Sequence, residues 1–103
     1  MKKIIEGKIY NTETAILLGE YSNGLSHSDG RFLEEAVYVT KKGAYFLYGA
    51  GGALTKYVER AGNTSWGTST ITVLTEEEAY KWLEKHNKWQ VIEERFSSYI
   101  EEA

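Results

Sequence analysis

Apolar and polar positions alternate, with interruptions, as far as Leu74, and beyond it the apolar spacing lengthens to that of a helix. Lys3 to Tyr10 alternates weakly around Gly7, which predicts a short strand pair or one bent edge strand. Asn11-Thr12-Glu13-Thr14 predicts a turn. Ala15 to Ser22 (AILLGEYS) is short and apolar, so a strand is preferred over a helical turn at Thr14 to Leu18. Asn23-Gly24 opens the polar loop SNGLSHSDGR. The clearest local pattern is Phe32 to Tyr48, where two apolar runs flank Lys41-Lys42-Gly43, and Gly43 supplies the left-handed position of a hairpin loop.

Gly49, Gly51 and Gly52 follow at once. They predict a place where the chain leaves a sheet through left-handed conformations and packs closely on its neighbours. Leu54 to Arg60 predicts two helical turns, Gly62 to Gly67 a loop, and Ser69 to Leu74 a strand with Ile71 and Val73 on one face.

Thr75-Glu76-Glu77-Glu78 has the form of a capping box, with Thr75 as the cap and Glu78 reaching back. Ala79, Trp82, Leu83 and His86 recur at helical spacing, and Asn87 provides a left-handed stop. A second helix carries Trp89, Ile92, Phe96 and Tyr99 or Ile100 on one side, with Glu93, Glu94, Arg95, Glu101 and Glu102 largely on the other. Strands first and helices last predict an α+β fold: a small antiparallel sheet, a meander with a central hairpin, packed by C-terminal helices. With 103 residues and 42% apolar content, one domain spanning 1–103 is expected, mainly β over 1–74 and helical and acidic over 75–103.

Composition narrows the function. Eight Tyr in so short a chain suit half-buried sheets or a binding surface. There is no Cys, which excludes disulfides, thiolate catalysis and cysteine-ligated metal. The start MKKIIEGKIY loses its apolar run at Glu6, so neither a signal peptide nor a membrane span is expected, and the protein is read as cytoplasmic. Charge is unevenly placed: residues 1–74 are net +1 and residues 75–103 net −4. That argues against duplex DNA and fits docking on a basic protein surface.

No catalytic template fits. A dinucleotide fingerprint begun at Gly49 meets Leu54 where it needs Gly or Ala, and a P-loop fails because Lys56 follows Thr55 and precedes Tyr57. Ser26, His27, Ser28 and Asp29 are sequence neighbours, whereas triad members converge from separate segments. His27, Asp29 and His86 make a weak zinc set, so no metal or other cofactor is expected. Lys41, Lys42, Lys56 and Arg60, near Tyr45, Phe46 and Tyr57, could contact single-stranded nucleic acid.

The strings GKIYNTETA, YSNG, SDGRF, YVTKKGAYFLYG, GGALTKY, TSWGTSTI and LTEEEAYKWLEKH are more specific than their chemistry. In this order, over roughly residues 3 to 86, they resemble a family of small proteins from phages, plasmids and conjugative elements of Gram-positive bacteria, with FLYGAGGALTKY the most distinctive part. That family includes anti-CRISPR inhibitors of the type II RNA-guided DNA nuclease. The resemblance implies a non-enzymatic inhibitor whose partner is a host CRISPR-Cas nuclease, with guide RNA contact possible and oligomeric state open. Two departures stand out. Ala50 replaces an acidic residue, and Gly30-Arg31 intervene before Phe32, so a different target or potency is expected if those positions meet the partner. Expected contacts are Glu76, Glu77, Glu93 and Glu94 on the helices, and Asn23, Asp29 and Arg31 in the loop. The alternatives are a nucleic-acid-binding or RNA-cleaving protein using Lys41, Lys42, Lys56, Arg60 and His27, or a regulatory protein with another host partner.

Overall fold

The computed structural model describes residues 1–103 and has an α+β fold. β1 (Lys2–Ile5) and β2 (Lys8–Asn11) form an antiparallel hairpin. Glu6 and Gly7 join them with φ of 50° and 77°, the left-handed pair that matches strand twist in a tight turn. The weak alternation around Gly7 is therefore a strand pair. A second, five-stranded sheet is built from β3 (Ile16–Ser22), β4 (Leu33–Val39), β5 (Tyr45–Gly51), β6 (Val58–Ala61) and β7 (Thr64–Leu74) in the order β3-β4-β5-β7-β6. Every pairing is antiparallel. The β4-β5 hairpin turns at Gly43, with φ of 92°, as its sequence predicts. The simple meander ends there, because the long β7 inserts between β5 and β6.

Three expectations in this region are overturned. Leu54 to Arg60 is not helical: the chain turns sharply after Gly52 and forms β6. Leu54, Tyr57 and Val58 have helical spacing, but sheet pairing of Val58–Ala61 with β7 outweighs that local preference. Gly62 to Gly67 is not a loop either. Gly62 and Asn63 make the turn, and Thr64 onward is strand.

The third correction concerns Gly49, Gly51 and Gly52, none of which has positive φ; Gly49 and Gly51 lie within β5. Close packing alone requires them. A Cβ on Gly49 would overlap the Tyr57 phenol, one on Gly51 the Thr55 hydroxyl, and one on Gly52 the Gly30 carbonyl.

Strand alternation splits the core between two faces of the large sheet. On one face Val37 and Val39 of β4 pack with Leu18 against α1 (Glu76–Lys85) and α2 (Trp89–Arg95), through Ala79, Leu83, Ile92 and Phe96. On the other, Phe46 and Ile71 are covered by Tyr10 of the N-terminal hairpin, whose ring meets Phe46 edge-on at 5.6 Å. Val73 shares the face of Ile71 but lies 42% exposed, beyond that cover. Fully buried Phe46, Phe96, Leu83 and Val37 each contribute about 1.5–3 kcal/mol by leaving water.

The capping box at α1 is complete. Glu78 N–H donates to the Thr75 hydroxyl at 3.1 Å, and Thr75 N–H donates to the Glu78 carboxylate at 2.8 Å. At the other end Asn87 takes φ of 52°, and the Asn87 and Lys88 amides donate to the carbonyls of Glu84 and Leu83, which closes the helix. The second helix is shorter than its pattern predicts. It ends at Arg95 and gives way to a 3₁₀ turn at Ser97–Tyr99. Its core contacts are Ile92 and Phe96, and Trp89 is not in that stripe but 56% exposed in the first turn.

Candidate functional site

The expected contacts in the 23–31 loop hold the loop itself. Asn23 Nδ2 donates to the Arg31 carbonyl at 2.9 Å, while its Oδ1 accepts from the amides of Leu33 (3.1 Å) and Leu25 (3.3 Å). Asp29 accepts from the Arg31 backbone amide and from both Nε and Nη2 of its guanidinium, at 2.9, 3.1 and 2.9 Å. These side-chain and backbone bonds hold the Asp29 carboxyl at about 2. The two residues largely satisfy each other. His27 stacks on Phe32 at 4.7 Å and sits 3.4 Å from a Glu34 carboxylate oxygen.

The basic residues are dispersed. Lys41 and Lys42 are exposed at the β4-β5 tip and Arg60 on β6, while Lys56 is drawn back onto Glu35 at 2.6 Å. Glu35 is the residue that sequence reasoning missed. Its place in the inward set with Val37 and Val39 was the available signal.

The Glu35 side chain is 5% exposed, and three donors converge on it. Tyr57 OH donates to Oε2 at 2.5 Å, Lys56 Nζ lies on the same oxygen, and Trp82 Nε1 donates to Oε1 at 3.0 Å. Burial opposes ionisation of the carboxyl, but the bonds from Lys56, Tyr57 and Trp82 prevail and bring it below its ordinary value. Tyr57 reaches Glu35 only because Gly49, paired with Glu35 across β4-β5, presents no side chain. Thus FLYGAGGALTKY encodes a fold-back in which a tyrosine lies over a glycine strand and ties it to α1 through Trp82. Beside this knot His86 lies against Trp82 (4.2 Å) and Tyr21 (4.7 Å), where burial and the Lys85 charge lower its imidazole pKa.

The helical acids make a different kind of surface. Glu76 and Glu77 are exposed in the first turn of α1, Glu77 paired with Lys81 at 3.2 Å. Glu93 borders a groove of about 480 Å³ between the end of α1, α2 and the C-terminal tail. Tyr80, Trp89 and Ile100 give it apolar walls, and Glu84, Glu93, Glu101 and Glu102 surround it with carboxylates and no Lys or Arg. Tyr80 stacks on Tyr99 at 4.7 Å and donates to Glu84 at 2.5 Å. Glu94 lies across Trp89, in a second groove with Leu17 and Val91. The groove beside Glu93 can take a lysine or arginine, its alkyl stem on the aromatic walls and its cation among the carboxylates.

No protein-family model, curated protein or solved structure matches the chain. No helix is long and apolar enough to cross a membrane, and no three His, Asp or Glu side chains are grouped as metal ligands.

Proposed function

We propose that the chain is a non-enzymatic inhibitor from a mobile genetic element that binds a type II RNA-guided DNA nuclease inside its bacterial host. The observation that carries this reading is the aromatic groove surrounded by Glu84, Glu93, Glu101 and Glu102. A nuclease that holds guide RNA and target DNA offers basic channels, and an acidic surface with apolar anchors complements them in charge. The resemblance of the FLYGAGGALTKY region selects this partner among basic proteins.

The test is a DNA-cleavage assay with purified nuclease, in which the protein is added before or after guide RNA. Inhibition is expected, stronger when the protein is added first if guide loading is the blocked step. Uninhibited cleavage in both orders contradicts the proposal. Cleavage of guide RNA by the protein itself, lost in His27→Ala, would replace inhibition with a nuclease activity.

A further inference from the structure

β3 is one edge of the large sheet and differs from the other edge. β6 has four residues and carries Glu59 and Arg60, the short and charged character that discourages strand addition. β3 has seven residues, its only charge is Glu20, and Ile16, Leu17 and Tyr21 are 42%, 47% and 37% exposed. A bulge at Leu18 buries that side chain among the core residues packed by the helices, and past it Gly19 to Ser22 pairs regularly with β4. No turn or loop backbone is hydrogen-bonded to Ile16–Ser22. Leu83 and Lys88 pack against Gly19 from the helix side.

Behind this edge, on the face away from the helices, is a groove of about 330 Å³. The N-terminal hairpin covers Phe46 and Ile71 on this face but leaves Glu20, Ser22 and Glu34 exposed or half-exposed beside Tyr38 and Tyr48. Glu20 has no ion-pair partner, and Glu34 has only the His27 imidazole. The phenols feel the carboxylates: burial and the Glu20 charge raise Tyr38, and burial and the Glu34 charge raise Tyr48.

We propose that Gly19 to Ser22 of β3 receives an extended segment of a partner protein as an added strand, with a lysine or arginine of that segment seated in the groove between Glu20, Glu34 and the two tyrosines. Unpaired backbone supplies the main-chain bonds and the acidic aromatic groove selects the side chain. A second copy of this chain fits less well, because it would bring together two acidic grooves and two chains of net charge −3.

The proposal stands on different residues from the helical groove and is read separately. The isotope-labelled full chain is titrated with a blocked peptide alternating valine and arginine, a second alternating valine and glutamate, and an N-methylated form of the first. The arginine peptide should slow amide exchange within Gly19–Ser22 and shift the Tyr38 and Tyr48 ring signals. The glutamate and N-methylated peptides should not. Glu20→Lys combined with Glu34→Lys, shown to be folded, should weaken binding about tenfold or more. The proposal is overturned by equal binding of both charge types, by shifts confined to Tyr80 and Trp89, by absence of protection in β3, or by self-association through that strand.

Discussion

Glu35 and Gly49 face each other across β4-β5, and the Tyr57 phenol that reaches Glu35 over this pair accounts for the first glycine of FLYGAGGALTKY. Tyr57→Phe removes a donor from a buried carboxylate and should lower stability by about 1–3 kcal/mol in urea unfolding. The sign of the pH dependence follows from the shifts. Glu35 is lowered from 4.5, so its contribution is present above that value and is lost as pH falls through the lower folded value. Tyr57 is raised from 10.0, so its contribution is present below that value and is lost as pH rises beyond it. The stability gap between wild type and Glu35→Gln should be flat near neutrality and shrink in acid; a gap that persists unchanged in acid contradicts the assignment. Gly49→Ala sets a Cβ into the Tyr57 phenol and should cost more than about 3 kcal/mol, whereas Gly43→Ala, in open space at positive φ, should cost about 1 kcal/mol. Equal losses in thermal unfolding would mean that the glycines serve backbone conformation after all.

Elements were legible in the sequence where local chemistry and tertiary packing agree. The β4-β5 hairpin needs only Gly43 between two alternating runs, and α1 needs only its cap, its stripe and Asn87. Thr75→Ala should therefore cost about 1 kcal/mol, measured by thermal melting. Legibility failed between Leu54 and Gly67, where helical spacing and loop-like composition conceal β6 and the first half of β7. What decides that segment is contact with residues distant in sequence: Gly67 is a place where a Cβ would overlap the Gly51 carbonyl. The candidate groove was half legible for the same reason. The acidic tail was apparent from charge, but Tyr80, Glu84 and an exposed Trp89 join it only because α2 is short and the tail returns past α1.

At the scale of the molecule the sheet is covered by helices on one face and by a hairpin over part of the other, within a body of 49 × 36 × 20 Å. The flat shape leaves acidic aromatic grooves on two separate surfaces, and the central claim is that the helical one binds a basic nuclease surface. Its most direct measurement is a binding titration of the nuclease with wild type, Glu93→Lys and Glu77→Lys at low and high salt. Glu93 lines the groove, whereas Glu77 lies outside its lining, in the first turn of α1 and paired with Lys81. Glu93→Lys should weaken binding about tenfold at low salt, Glu77→Lys far less, and added salt should narrow the difference. Unchanged affinity in Glu93→Lys at both salts, or equal losses in the two variants, would contradict the claim.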